Sequence, residues 1–90
     1  MSEAARWERL DVWLWYARLA RTRSGCAHAV REGGFRLNRQ PTDKPHVRLR
    51  VGDVLTFSSG EGTVRVWRVL DLGSRRGPPE EARSLYDELT

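Results

Sequence analysis

The stretch Arg9 to Ser24, Arg-Leu-Asp-Val-Trp-Leu-Trp-Tyr-Ala-Arg-Leu-Ala-Arg-Thr-Arg-Ser, constrains this chain more than any other. Leu10, Trp13, Leu14 and Ala17 recur at helical spacing, so a helix from about Arg9 to Ala20 is expected to bury that stripe. The stripe runs into Arg18, Arg21 and Arg23, and Thr22 is placed to cap a second helix. That helix should continue to about Glu32 with Cys26, Ala27 and Val30 facing inward. Helices that bury one face and end in guanidinium groups form a rigid mount for planar, multi-donor cations. Such cations suit phosphates and carboxylates.

Downstream, Gly33-Gly34 supplies a left-handed helix stop. Phe35 to Asn38 alternates apolar and polar, as a strand with one face on a core does, and a turn around Arg39 to Pro41 follows. Part of Val47 to Val51 reads as a second strand, Gly52-Asp53 as a turn, and Val54 to Phe57 as a third strand. Ser58 to Gly62 is a hairpin loop into the clearest strand, Thr63 to Leu70. Gly73 to Pro79 is a loop. Glu80 to Leu89 reads as a terminal helix with acids in its first turn, which suits the helix dipole. The expected fold is α+β: two N-terminal helices packed on a small curved antiparallel sheet, plus a C-terminal helix. Residues 1–8 read as a polar tail, 9–70 as the domain, and 71–90 as a loop and helix packed on it.

The 90 residues carry a formal charge of +4, distributed unevenly. Residues 6–50 hold eleven Lys/Arg against four Asp/Glu, whereas residues 51–90 hold five against seven. Basic charge concentrated in one half is the footprint of a face that meets a polyanion. One cysteine, Cys26, leaves no intrachain disulfide and suits a reducing compartment. No leader pattern follows Met1, and no stretch approaches the roughly 20 apolar residues that cross a bilayer. The expected location is the cytoplasm, with no membrane partner.

Taken in order, Arg9-Leu10-Asp11, Trp13-Leu14-Trp15, Ala17-Arg18, Thr22-Arg23-Ser24, Gly34, Leu37-Asn38, Lys44-Pro45 and Gly52-Asp53 resemble the alpha-L RNA-binding motif. That motif is the small domain of the ribosomal small-subunit protein four type, also attached to RNA-modifying enzymes. Leu14-Trp15 followed by Ala17-Arg18, with Arg75-Arg76-Gly77-Pro78 and Leu85-Tyr86 near the end, is similar to the stand-alone heat-shock protein fifteen family. The resemblance implies RNA binding through the two-helix face and the adjoining turn. It further implies association with ribosomal RNA on a large subunit that carries a stalled nascent chain and its tRNA, under heat or translational stress. The sequence departs from the pattern where Asn-Gly is usual after the first strand. Asn38-Arg39 stands there, so a longer loop is expected in place of a tight primed turn. The long basic C-terminal tail of some members is not expected here, so affinity supplied by such a tail is not assumed.

The residues weighed for RNA contact are Arg9, Arg18, Arg21, Thr22, Arg23, Ser24, His28, Arg31, Arg36, Asn38, Arg39 and Lys44. Thr22-Arg23-Ser24 is the best single phosphate site, because free amides at a helix N-terminus attract anions. Ser24, His28 and Arg31 share a face beside it. Arg36, Asn38, Arg39 and Lys44 extend the surface along the first strand and its turn. Arg48 and Arg50 are weaker candidates, and Arg65 and Arg68 read as cover for the outer sheet face. Trp15 or Tyr16 could stack on a base, but packing is the preferred reading of Trp15. Asp11 reads as a dipole or ion-pair residue near Arg9.

Cys26, His28 and His46 are too few for a zinc site, and Cys26 falls on the buried face, so no metal is expected. Ser24 and His28 have no third orienting acid, so catalysis is not expected either, and no cofactor follows. The expected protein is a non-enzymatic, monomeric RNA-binding module with weak binding to DNA. The alternatives are a module of an RNA-modifying enzyme, or a DNA- or protein-interaction module.

Overall fold

The apolar stripe forms the expected helix, but its first turn and its end are set by contacts far away in the chain. In the computed structural model, which describes residues 6–58 and 62–89, α1 covers Leu10–Tyr16 and α2 covers Arg23–Arg31. α1 stops well short of Ala20. The Leu19 amide reaches the Leu14 carbonyl at 3.0 Å and the Arg18 amide reaches that of Trp15 at 3.1 Å. This is the left-handed helix stop usually built on glycine, and here Arg18 occupies the left-handed position with φ 64°. An L-residue there costs roughly 1–2 kcal/mol. The Arg18 guanidinium offsets part of that cost by donating to the Gly77 carbonyl at 2.7 Å. α2 begins as expected, with the Thr22 hydroxyl accepting from the Gly25 amide at 3.0 Å. Gly33 and Gly34 follow it with φ 92° and 88°.

All strand pairing is antiparallel. A two-stranded ribbon joins β1 (Glu8–Arg9) to β4 (Arg48–Leu49). The five-stranded sheet runs β3-β2-β5-β6-β7, from β2 (Phe35–Leu37), β3 (Gln40–Thr42), β5 (Val54–Ser58), β6 (Val64–Val69) and β7 (Tyr86–Glu88). Glu8, read as tail, therefore belongs to a strand. Residues 59–61 of the hairpin loop read at Ser58 to Gly62 lie outside the described residues, as do residues 1–5 of the tail.

Further expectations are corrected. Asn38 and Arg39 close a tight two-residue hairpin rather than a longer loop, since Leu37 pairs directly with Gln40. Both adopt positive φ, 50° and 73°, as a primed turn requires. Asn38 tolerates this because its carboxamide is engaged on both sides. Its oxygen accepts from the Val54 amide at 2.9 Å and its nitrogen donates to Asp53 at 3.0 Å.

The C-terminal segment also departs from expectation. The helix read over Glu80 to Leu89 is only α3 (Pro79–Arg83), and the remainder is β7 on the sheet edge. Alternation explains the switch. Tyr86 stacks on Trp67 at 3.7 Å between ring centroids, and two residues on, Glu88 accepts from the Trp67 indole N–H at 3.0 Å and from Arg65. Arg65 thus lies on the same side of β6 as Trp67, not on the outer face.

The core joins Leu10, Trp13 and Leu14 of α1 to Cys26 and Val30 of α2, and to Phe35, Leu55, Phe57, Trp67 and Val69 of the sheet. The indole N–H of Trp13 donates to the Asp71 carbonyl at 2.8 Å, tying α1 to the segment after β6. No helix of the described residues is long and apolar enough to cross a membrane.

Glycine lacks the left-handed penalty that Arg39 carries, although it loses more entropy on folding. Arg39→Gly should therefore raise the thermal midpoint by a few degrees. A midpoint that falls would mean the Arg39 side chain stabilises the turn by contacts stronger than the backbone penalty.

Candidate nucleic-acid interface

The site is built around Asp11, which is 3% exposed and the one buried charged residue among those described. No side chain caps the start of α1. The carbonyls of Val47 and Pro45 do so instead, accepting from the amides of Leu10 and Asp11 at 3.0 and 2.9 Å. This docks the Lys44–Val47 loop against the helix. A buried carboxylate must be paired. Asp11 accepts the Arg9 Nε and NH2 donors at 3.0 Å each, and its own neighbour's amide, Val12, at 2.9 Å. Arg23 approaches the same carboxylate at 4.0 Å. The hydrogen bond that Arg9 donates to Asp11 pushes its already high pKa higher. Two guanidinium groups thus converge on one carboxylate, with net positive charge left over, and Lys44 lies next to Pro45 beside them.

At the start of α2, the Thr22 hydroxyl is taken by Gly25 and lies 3.3 Å from that of Ser24. Among the described residues the amides of Arg23 and Ser24 have no partner, as the first amides of a helix do not. They and the helix dipole favour an anion. Ser24, His28 and Arg31 follow at spacings of four and three, which is one stripe of the helix. His28 meets Glu32 at 3.0 Å, with both side chains largely in solvent. Cys26, two residues before His28, faces the core, and burial pushes its thiol pKa up. Among the described residues no three His, Cys, Asp or Glu side chains gather as a metal site would need.

The hairpin carries a second group of cations. Arg36 and Arg39 are linked by an Arg36 NH1 to Arg39 carbonyl bond of 3.4 Å. Arg21, Arg23, Arg31, Arg36, Arg39 and Lys44 are all exposed. Two residues weighed for RNA contact, both exposed, also serve the architecture: Arg18 latches Gly77, and the Asn38 carboxamide closes the hairpin. Trp15 is half-buried, as packing requires, against Tyr16 and Arg76.

Sequence reasoning passed over Arg76, whose NH2 donates to the Ala20 carbonyl at 3.4 Å while its guanidinium lies 6.0 Å from the Trp15 ring. It also passed over Trp7, 4.5 Å beneath the guanidinium of Arg48. The alternation of Arg48, Leu49 and Arg50 was the available signal for an exposed Arg48.

A model of the S4 domain family matches residues 8–55, the stretch from β1 into β5 that carries this geometry. The chain belongs to the S4 domain family. It is thus the alpha-L RNA-binding motif that its sequence resembles, in a small α+β fold. Heat shock protein 15 of Escherichia coli K12 is 35% identical over 82 residues, covering 89% of this chain and 59% of that protein. Small ribosomal subunit protein uS4 of Pelobacter propionicus is 36% identical over 73 residues, covering 80% of this chain and 35% of that protein. Among solved structures, heat shock protein 15 of Vibrio cholerae, described as trimeric, superposes with a TM-score of 0.83 at 31% identity. That match covers 92% of this chain and 82% of the other. The chain therefore spans about three-fifths of the length of the curated heat shock protein and about a third of the S4-domain ribosomal protein.

The geometry separates Arg18, which latches Gly77, from the arginines that make no such contact. Arg18→Gln should lower the thermal midpoint by several degrees, because a lost charge-assisted hydrogen bond costs about 1–3 kcal/mol. The double variant Arg21→Gln/Arg31→Gln should melt within about a degree or two of the wild type, as surface changes do. Equal losses in both would show that the exposed arginines also hold the fold.

Proposed function

We propose that this protein is a non-enzymatic RNA-binding protein that grips structured ribosomal RNA through phosphate and shape contacts. The observation that carries this reading is the set of exposed cations, Arg21, Arg23, Arg31, Arg36, Arg39 and Lys44, carried by α2 and the turn before it, the first hairpin and the Lys44 loop, together with the unpaired amides at the start of α2. Arg9 takes part from its place on Asp11, and Thr22, Ser24 and His28 supply the polar edge. Arg18 and Asn38 act by holding the helix stop and the hairpin in place. Arginine suits this work because its planar fork matches a phosphate in a bidentate way.

The proposed partner is the large ribosomal subunit carrying a stalled nascent chain and its tRNA, in stress or rescue, and the proposed setting is the cytoplasm. Relatives named as heat shock proteins support the stress setting, and the small-subunit ribosomal relative supports RNA binding on a ribosome without favouring either subunit. The proposed mode of action is differential affinity for ribosomal states. The proposed acting unit is one copy of the chain. Sedimentation velocity, free and RNA-bound, distinguishes this from a trimer like that described for the Vibrio cholerae relative.

Six to eight cations on phosphates give log affinity a slope against log salt of about −4 to −7. A DNA duplex of equal charge should bind more weakly than a structured RNA. Purified large subunits loaded with peptidyl-tRNA should bind more tightly than empty ones at equal salt, without ATP or GTP. A flat salt dependence contradicts phosphate-dominated binding, and tighter binding to small subunits contradicts the rescue reading.

A further inference from the structure

The four tryptophans divide sharply. Trp13 and Trp67 are 0% and 3% exposed, and Trp15 is half-buried against the core, but Trp7 is 44% exposed. Trp7 is neither in the core nor among the half-buried apolar residues packed on it. A large ring held in water outside the core is expensive unless something covers it. The ring is nonetheless not loose. Trp7 directly precedes β1, whose Glu8 and Arg9 pair with Leu49 and Arg48 of β4. Side chains opposite one another in an antiparallel pair share a face, and so do residues two apart in a strand. Leu49 is buried, so Arg9, Arg48 and Trp7 stand on the solvent side. There the Arg48 guanidinium covers one side of the indole at 4.5 Å. Two residues along the chain, Arg9 shares Asp11 with Arg23.

An indole positioned by a cation–π contact next to a guanidinium pair has the two parts of a single-strand nucleotide site: a π-face for a base and cations for the phosphates beside it. RNA readers build such sites on splayed-out bases of loops and ends, not on paired ones. We propose that Trp7 is a stacking platform for one unpaired base of the bound RNA, with Arg48 holding the ring and Arg9 and Arg23 taking the adjacent phosphates. This rests on the RNA-binding reading above and adds to it. It gives a face that otherwise reads only charge and shape a preference for RNA with an unpaired nucleotide beside a helix.

The test compares an RNA hairpin bearing an unpaired loop with a blunt RNA duplex of equal phosphate number, using wild type, Trp7→Leu and Trp7→Phe. Trp7→Leu should weaken hairpin binding about tenfold, the range for losing one aromatic–base stack. The same variant should leave duplex binding within about twofold and the salt slope unchanged, because no phosphate contact is lost. Trp7→Phe should restore most of the hairpin affinity. In the wild type, bound hairpin should shield tryptophan emission from acrylamide quenching, and this shielding should vanish in Trp7→Phe. Equal losses on both RNAs, no loss on the hairpin, or shielding that survives in Trp7→Phe would each overturn the proposal. A wild type that binds neither RNA would instead overturn the RNA-binding reading itself.

Discussion

Asp11 is the constraint on which the basic face depends. Burying a carboxylate is unfavourable unless its lone pairs are filled, and here they are filled by the Val12 amide and the fork of Arg9, with Arg23 at 4.0 Å. The consequence is geometric rather than mainly energetic. Two long, mobile cations from different elements, which would repel each other and sample many rotamers, are drawn to one point beside the N-terminus of α2. Because the carbonyls of Pro45 and Val47 cap the start of α1, where Asp11 lies, the Lys44 loop is fixed to the same place. A basic face assembled in advance loses less entropy when it meets phosphates, which is how preorganisation raises affinity.

The C-terminal arm is the second support, and it acts on the opposite end of α1. The Gly77 carbonyl holds Arg18 in its left-handed conformation, Arg76 reaches the Ala20 carbonyl, and the Asp71 carbonyl takes the indole N–H of Trp13. Arg75 pairs with Glu81, and β7 seals the sheet edge by stacking Tyr86 on Trp67. The turn between the helices, which carries Arg21 and Thr22, is thereby set from residues 71–77. Nearly half of the chain's acids lie in 71–90, away from the basic half. The arm braces the interface without adding charge that would compete with it.

The features that rest on local pattern were legible in the sequence: the Leu10-Trp13-Leu14-Ala17 stripe, the Thr22 cap, the Gly33-Gly34 stop and the strand through Trp67. Features set by distant partners were not. α1 ends early because Arg18 finds Gly77, 59 residues away. The tight Asn38-Arg39 turn stands without glycine because Asp53 and Val54 engage Asn38. Acids at Glu80 and Glu81 gave a good helix start, but Tyr86 and Glu88 satisfy Trp67 and Arg65 only as a strand, and that tertiary demand overrides helical propensity. In the candidate site the lopsided charge was plain, whereas the division of the arginines between latching and exposure was not. A guanidinium looks the same in sequence whether it meets a carbonyl or water.

The central question is which surface meets RNA. Amide chemical-shift mapping of the labelled protein, titrated with a structured RNA hairpin at low and high salt, addresses that directly. The predicted result is a set of shifts concentrated in residues 7–9, 21–31, 36–39 and 44–48 that fades as salt rises. Shifts centred on α3, β7 and the outer face of β6, with the helix pair and the first hairpin silent, would contradict it.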